Sequence, residues 1–186
     1  MPPKIRICKE EIVSAAVELV RRDGAAALNV RAVAARLGCS TQPIFSNFAS
    51  VEALRAAVLA AADALYHEYL QRETESGEFP PSKASGMAYI RFATEEKELF
   101  KLLFMRDRSA EPDKEDFSEI DRLCIPLRQA LGLSPEQARQ FHLETWAFVH
   151  GIAVMAATDY LLLDRPSVSR MLTDCYQGLA HRYKEG

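Results

Sequence analysis

Residues 29–48, NVRAVAARLGCSTQPIFSNF, decide the fold of this chain. They indicate a short helix, a turn that contains glycine, and a second short helix. Asn29 is a favourable cap for the first helix, because its side-chain oxygen can accept a hydrogen bond from an unpaired amide. Gly38 can adopt the left-handed conformation that ends a helix, and Ser40 is predicted to cap the second helix. The apolar residues of the first helix recur at helical spacing and predict a buried face: Val30, Val33, Ala34 and Leu37.

The second helix of this pair combines an apolar stripe with outward polar side chains. Ile44, Phe45 and Phe48 are predicted to form the stripe. Pro43 is compatible with the first turn of the helix, because the amides of that turn have no partner within the helix. The outward polar residues are Thr41, Gln42, Ser46 and Asn47. This pattern is typical of a helix-turn-helix, whose second helix lies in the DNA major groove, and an ordinary helical hairpin is the alternative.

Helices are also predicted on both sides of the pair. Residues 10–24 form an amphipathic pattern that ends at Gly24, with Ile12, Ala16, Leu19 and Val20 on one face. After the pair, Ser50 is predicted to cap a long helix that runs to about Glu73. A third helix of this kind packs a helix-turn-helix into a self-standing unit.

The arrangement resembles the N-terminal DNA-binding domain of the TetR family of bacterial transcriptional regulators, over residues 5–55. The matching positions are Arg22-Asp23-Gly24, Val30-Arg31-x-Val33-Ala34, Leu37-Gly38-x-Ser40 and Ile44-Phe45-x-Asn47-Phe48 followed by Glu52-Ala53-Leu54. The resemblance implies that residues 1–50 form a DNA-binding domain and that residues 41–48 enter the major groove. Thr41, Gln42 and Ser46 are then the candidates for base edges. The residues expected to contact DNA are Lys4, Arg6, Asn29, Arg31, Thr41, Gln42, Pro43, Phe45, Ser46 and Asn47.

Composition and charge agree with this interpretation. The chain has 186 residues, of which 48% are hydrophobic and 26% charged, values that are ordinary for a globular protein. The net charge of −3 hides an asymmetry. Residues 1–50 hold seven Lys or Arg and four Asp or Glu, whereas the remainder holds 16 and 22. A basic end on an acidic body suits phosphate binding at that end only.

Several other classes of protein are disfavoured by the sequence. No apolar run reaches the roughly 18 residues of a membrane span, and the N-terminus lacks the apolar region of a signal peptide. The four cysteines form no C-x-x-C pair, so a cytoplasmic protein without disulfides is expected. The catalytic motifs G-x-S-x-G and H-E-x-x-H and the P-loop pattern do not occur. We therefore expect no enzyme, no cofactor and no metal site.

Residues 51–186 are predicted to form a second, helical domain. A break is expected at 73–82, ETESGEFPPS, because its glycine and two prolines interrupt helix. Further helices are predicted from Ser82, over 95–106, over 117–131 with an interruption at Pro126, and within 167–183, with a loop at 107–115. Ser134 begins a capping box, and its helix is expected to run to about 160 or 163. The whole chain is predicted to be all-α, with about nine helices and no strands.

The motif Trp146-x-x-x-His150-Gly151 lies in the penultimate helix and resembles a signature of one C-terminal subgroup of the TetR family. The resemblance implies a ligand-binding domain that dimerises through its last two helices. Gly151 is expected to permit a close approach between helices. The alternative is that Trp146 belongs to the core and that His150 is a satisfied buried histidine.

Two sets of residues follow for the second domain. The ligand-binding candidates are Met87, Tyr89, Phe92, Phe100, Leu103, Phe104, Phe117, His142, Trp146 and His150. The candidates for the dimer interface are Phe141, Phe148, Ile152, Met155, Val168, Met171, Leu172, Cys175 and Leu179. The expected function is a ligand-responsive repressor that binds a pseudo-palindromic operator in double-stranded DNA as a homodimer, with a small apolar effector and no membrane partner. The alternatives are an activator of the same family, or a helical adaptor that acts through protein partners.

Overall fold

The computed structural model describes residues 7–107 and 118–185. These residues form ten α-helices and one short 3₁₀ helix, Ala25–Ala27, and within these ranges there is no β-strand. The α-helices are α1 (Lys9–Asp23), α2 (Val30–Arg36), α3 (Gln42–Asn47), α4 (Val51–Glu75), α5 (Pro81–Glu95), α6 (Lys97–Phe104), α7 (Ser118–Leu123), α8 (Ile125–Leu131), α9 (Pro135–Ala157) and α10 (Arg165–Glu185). The all-α prediction is confirmed. One helix more than expected appears, because the segment around Pro126 forms two helices that are separated at Cys124.

The ends of the helices follow local side-chain chemistry at most positions. Asn29 accepts a hydrogen bond from the Ala32 amide, and Ser50 accepts one from the Ala53 amide, as predicted. Ser134 forms the expected capping box with Gln137. The prediction for Ser40 is wrong, because α3 begins one residue later and has Thr41 at its cap position. The helix α9 also ends at Ala157, earlier than expected.

The helices α1 to α3 and the first turns of α4 pack together in a unit that we call the head, whose buried residues are continuous with the core of the body. Ile12, Val33, Ile44 and Leu54 are fully buried in it. Phe48 is also buried, so the apolar stripe of α3 packs as predicted at two of its three positions. The prediction is wrong at the third position: Phe45 is 55% exposed, because it lies about 100° around α3 from Ile44, off the buried face.

The body is built around α5, which packs against α4, α6, α9 and α10. A close approach between helices occurs at Gly86. A Cβ atom at this position would lie 3.1 Å from Leu172 Cδ1 and 3.5 Å from Val149 Cγ2. The approach predicted at Gly151 is not found within the protomer, because a Cβ atom there would meet nothing within 4 Å.

The helix α6 connects the head with the body. It packs against α1 and the 3₁₀ helix on one side, and against α4, α5 and α9 on the other. At the joint between α5 and α6, the Glu96 carboxylate accepts two hydrogen bonds from Arg21, from Nε at 2.7 Å and from Nη2 at 3.0 Å. This bidentate pair fixes the end of α1 to the start of α6.

A second ion pair fixes the start of α10 to the end of α4. Glu73 is the buried charged residue of the core, with 4% of its surface exposed. Its carboxylate accepts hydrogen bonds from Arg165 at 2.6 and 3.3 Å, and the same guanidinium donates to Glu78. Because a buried carboxylate without a partner is costly, this contact specifies where α10 begins.

A second, smaller apolar cluster lies at the far end of α9 and α10. Phe141 is buried there between the rings of Tyr176 and Tyr183, at centroid distances of 5.3 and 5.7 Å. Cys124 is buried in the same cluster. Within the described ranges, no helix is both long enough and apolar enough to cross a membrane.

Candidate nucleic-acid interface and regulatory core

The recognition helix α3 is anchored by one face and presents the other to solvent. Ile44 and Phe48 are buried, and they hold α3 against the head. Gln42, Phe45, Ser46 and Asn47 are exposed, whereas Thr41 and Pro43 are half-buried. The structure therefore exposes on α3 four of the ten side chains that were expected to contact DNA.

Two of the exposed polar side chains of α3 are engaged within the protein. Ser46 Oγ donates to the Gln42 carbonyl at 2.9 Å. Asn47 Nδ2 donates to the Pro43 carbonyl at 2.8 Å and to the Ile7 carbonyl at 3.4 Å. The amide of Asn47 thus links the recognition helix to Ile7, which lies two residues before α1. The sequence did not indicate this contact, which joins residues 40 positions apart.

The other candidates for DNA contact lie around α2 and the N-terminus. Asn29 is exposed, but both atoms of its amide group are used locally, because Oδ1 accepts from the Ala32 amide and Nδ2 donates to the Ala27 carbonyl. Its place in the structure is therefore that of a helix cap. Arg31 is exposed in the first turn of α2. Lys4 and Arg6 lie outside the described residues.

The body contains a cluster of aromatic side chains contributed by α4, α5, α6 and α9, which we call the aromatic cluster. Tyr89 lies at its centre, and its hydroxyl is 2.9 Å from Nδ1 of His150. The ring of Tyr89 packs against Phe104 at 4.9 Å and Phe100 at 5.3 Å between centroids. The members of the cluster are Tyr66, Tyr89, Phe92, Phe100, Phe104, Trp146 and His150.

Burial sets the protonation of the two polar groups at the centre. It raises the pKa of the Tyr89 hydroxyl and lowers the pKa of the His150 imidazole, because both charged forms lose hydration. Near neutral pH, both groups are therefore neutral, and one hydrogen bond joins the Tyr89 hydroxyl to Nδ1 of His150.

Trp146 lies at the edge of the aromatic cluster. Its indole stacks on the His150 ring with centroids 4.9 Å apart and planes inclined by 10°. The side chain is nevertheless 47% exposed, so the alternative that placed Trp146 in the core is wrong. The i, i+4 spacing places the two side chains on one face of α9, where they can meet. His142, one turn earlier, is half-buried, and burial lowers its pKa.

The predicted ligand-binding residues are only partly brought together. Tyr89, Phe92, Phe100, Phe104, Trp146 and His150 belong to the aromatic cluster. Met87 is buried in the adjoining core, Leu103 is half-buried, and Phe117 lies outside the described residues. Sequence reasoning missed Tyr66, whose ring contacts Tyr89, Phe92 and Phe104. Two open concavities on the described surface lie elsewhere, between α1 and α2 and beside α8.

The predicted dimer-interface residues divide into two groups. The first group is buried in the protomer and consists of Phe141, Ile152, Val168 and Leu172. The prediction that these side chains face a partner is therefore wrong. The half-buried group consists of Phe148, Met155, Met171, Cys175 and Leu179. The outward face of α9 carries other residues that sequence reasoning had not assigned to the interface: Leu143, Ala147 and Gly151, beside Trp146.

Comparisons with known proteins agree with this architecture. Residues 12–58 match the model of bacterial regulatory proteins of the tetR family, and residues 82–175 match the tetracyclin repressor-like C-terminal domain. The solved structure of a TetR-like transcriptional regulator from Rhodococcus sp. RHA1 is similar in fold, with a TM-score of 0.67 and 17% identity. The similarity covers 100% of this chain and 99% of that one. No curated protein matches the sequence significantly. The chain belongs to the TetR family of bacterial transcriptional regulators.

Proposed function

We propose that this protein is a ligand-responsive repressor, without enzymatic activity, that acts in the cytoplasm on a pseudo-palindromic operator as a homodimer. The observation that carries the proposal is the geometry of α3. This short helix packs on the head through the buried side chains of Ile44 and Phe48 and leaves Gln42 and Phe45 exposed. A helix presented in this way fits the DNA major groove.

The chemistry of the exposed side chains suits particular base edges. The carboxamide of Gln42 matches the donor and acceptor pair that adenine presents in the major groove. The ring of Phe45 provides apolar contact for a thymine methyl group. Arg31, exposed at the start of α2, is placed to bind a phosphate.

Selection of bound sequences from a pool of random DNA tests the operator proposal. We expect enrichment of two inverted half-sites, with centres separated by about one helical turn or a multiple of it. A gel-shift titration of the selected DNA then gives the affinity and its salt dependence. Failure to enrich any sequence, or enrichment of single half-sites only, would contradict a homodimeric operator-binding protein.

The outward face of α9 supports the homodimer. Between Leu143 and Thr158, this face carries apolar or small side chains. The one acidic residue of the stretch is Glu144, and its carboxylate pairs with Arg182 of α10. Leu143 is 54% exposed, and Gly151 has open space beside it. A contiguous apolar face of this kind is typical of a subunit interface, and a two-fold axis would place it against its own copy.

The aromatic cluster supports the ligand response. It offers flat apolar surfaces and two polar groups, Tyr89 and His150, which suit a small and largely apolar effector. Phe100 and Phe104 of the cluster lie on α6, the helix whose first residues contact the head through Glu96 and Arg21. We propose that an effector wedged among these rings displaces α6 and moves the two heads out of register with DNA.

Fluorescence of Trp146 tests the effector proposal, because this residue is the single tryptophan of the chain. A library of small aromatic and alicyclic compounds is titrated against the protein with and without operator. An effector acts only through its different affinities for the DNA-binding and the DNA-incompetent states of the protein. The factor by which it weakens operator binding must therefore equal the factor by which operator weakens effector binding. A compound that quenches Trp146 without changing operator affinity would contradict the switch.

A further inference from the structure

The exposed polar side chains in the last turn of α3 have already used their hydrogen-bond donors within the protein. Ser46 Oγ lies 2.9 Å from the Gln42 carbonyl oxygen. Asn47 Nδ2 lies 2.8 Å from the Pro43 carbonyl oxygen and 3.4 Å from that of Ile7. Because a carbonyl oxygen can only accept, the hydroxyl and the amide nitrogen must both be the donors in these contacts. What remains for a partner is Ser46 Oγ and Asn47 Oδ1 as acceptors, which we call the acceptor pair.

Gln42, one turn before Ser46, has a different hydrogen-bonding capacity. Its side chain is exposed and makes no hydrogen bond to another described residue. It therefore keeps both amide donors and the carbonyl acceptor, which is the combination needed for a bidentate contact with adenine. The acceptor pair cannot make such a contact while its donors are engaged. The recognition helix thus offers a donor and an acceptor together at its start, and acceptors alone at its end.

A group that only accepts requires a base that donates. In the major groove, the donors are the amino groups of cytosine N4 and adenine N6. The amino group of adenine lies between two acceptors, its own N7 and O4 of the paired thymine, which repel a further acceptor. The amino group of cytosine has one such neighbour, O6 of the paired guanine. Cytosine is therefore the better partner, as it is for the carboxylates of Asp and Glu.

We propose that Ser46 and Asn47 are specificity-determining residues, whose acceptor pair selects cytosine and disfavours guanine and thymine at one position of the half-site. The inference rests on the proposed binding of operator DNA by α3. Ser46 follows Gln42 by four residues, which is about 6 Å along a helix. Successive base pairs are about 3.4 Å apart. The selected cytosine should therefore lie one or two base pairs from the adenine that Gln42 contacts.

The experiment combines variants of the full-length protein with a change in one base. Gel-shift titrations of Ser46→Ala and Asn47→Ala against single-base variants of the selected operator identify the position at which base preference changes. The cytosine at that position is then replaced by 2-pyrimidinone, which lacks the amino group. In a cycle of protein variant and base analogue, the effect of the analogue on the duplex itself cancels.

Ser85→Ala is the matched control for loss of a serine hydroxyl. Ser85 is also exposed and also donates to a carbonyl four residues earlier, Pro81, at 3.0 Å, but it lies on α5 in the body. Circular dichroism melting checks that each variant is folded. If Asn47→Ala does not fold, Ser46→Ala carries the test, because its hydrogen bond lies within α3 and alanine favours helix.

Loss of the amino group should weaken binding by the unaltered protein and by Ser85→Ala about 2- to 10-fold, the effect of losing one neutral hydrogen bond. The same replacement should have a clearly smaller effect on Ser46→Ala and Asn47→Ala. Both variants should also rank the four bases at that position more evenly. As a comparison, an analogue of the neighbouring adenine that lacks N7 should weaken the unaltered protein but not Gln42→Ala.

Three results would overturn the inference. The first is a loss in Ser46→Ala and Asn47→Ala that is equal for all operator sequences, which would indicate phosphate contacts or a structural role. The second is a relaxed preference for guanine, or for an adenine whose N7 is required, because either would show that the donors are released on binding. The third is an unchanged base preference in both variants. If the unaltered protein selects no operator at all, the proposed function itself is wrong.

Discussion

Gln42 is the exposed carboxamide of the recognition helix, one turn before Ser46. If it makes a bidentate contact with adenine, Gln42→Ala should weaken operator binding by about 1–3 kcal/mol and relax the preference at one base pair. Gel-shift titrations against the selected operator and its single-base variants measure both effects. Gln71→Ala, on the exposed side of α4 in the body, is the control for loss of a carboxamide. A loss that is equal across all sequences would instead identify Gln42 as a phosphate contact.

His150 links protonation to the stability of the aromatic cluster. Burial lowers the pKa of His150 in the folded state, whereas the unfolded state keeps a pKa of about 6.5. Between these two pKa values, the unfolded state binds more protons than the folded state, so the free energy of unfolding rises with pH in that window. The contribution of His150 to the free energy of unfolding should therefore be fully present above about pH 6.5 and should decrease on acidification below that pH. Urea unfolding between pH 5 and 8 measures this change.

Substitution of His150 isolates its share of this pH dependence. His150→Gln keeps a polar group for the Tyr89 hydroxyl and should make the dependence shallower. Some dependence should remain, because burial also lowers the pKa of His142. His67→Gln, at an exposed position of α4, is the control for removal of an imidazole. An identical pH profile in His150→Gln and the unaltered protein would show that the imidazole does not pay a desolvation penalty in the fold.

At the scale of helices, the features that the sequence predicts correctly are those with local causes. The caps at Asn29, Ser50 and Ser134 depend on side chains within three residues of the helix ends, so they can be identified from sequence. The break at 73–82 follows from the restricted backbone of its prolines. The interruption of the segment 117–131 could be predicted from Pro126 for the same reason.

Apart from the two misplaced helix ends, at Ser40 and Ala157, the features that were missed depend on tertiary contacts. Gly86 and Gly151 both lie within helices, yet only Gly86 meets a neighbouring helix, because α10 crosses α5 there and leaves the outward face of α9 open. Asn47 could be recognised as exposed, but its partner Ile7 lies 40 residues away. Likewise, burial of Leu172 in the protomer follows from where α5 and α10 cross, which helical periodicity does not specify.

The joint between α5 and α6 is where the head and the body are coupled. Glu96 has only 12% of its side chain exposed and binds Arg21 in a bidentate manner. A double-mutant cycle of Arg21→Ala and Glu96→Ala, followed by denaturant unfolding, should give a coupling energy of about 1 kcal/mol. This value allows for the partial exposure of Arg21, which also pairs with Glu18.

The exposed pair of Arg72 and Glu68 within α4 is the matched comparison. Because both of its side chains are more than half exposed, the same cycle should give about 0.3–0.5 kcal/mol. If the coupling of Arg21 and Glu96 is no larger than that of the exposed pair, the end of α1 is not held to α6 by this contact. The proposed route from the aromatic cluster to the head would then depend on the packing of α6 against α1 and the 3₁₀ helix, or on α4.

In the whole molecule, the basic charge and the exposed apolar surface lie in different parts of the fold. The first 50 residues, which include the recognition helix, are net basic, while the remainder is net acidic. The outward face of α9 is apolar and lies in the body. A dimer formed through that face would leave both basic heads free to reach DNA, and the acidic bodies would add no attraction to phosphate.

Gly151 provides a direct test of this assembly. A side chain at this position meets nothing within 4 Å in the protomer, and arginine favours helix by up to about 1 kcal/mol relative to glycine. Gly151→Arg should therefore preserve or raise the stability of the folded protomer. In a symmetric interface, the same substitution places two charged side chains where two apolar faces meet, so the dimer should dissociate.

Sedimentation velocity at micromolar concentration should show a dimer for the unaltered protein and a monomer for Gly151→Arg. Operator affinity should fall toward that of a single half-site, because the two heads no longer bind together. Ala130→Arg, at an exposed position of α8, adds the same charge away from α9 and should remain dimeric. A Gly151→Arg protein that remains a dimer with full operator affinity would place the subunit interface on a different surface of the body.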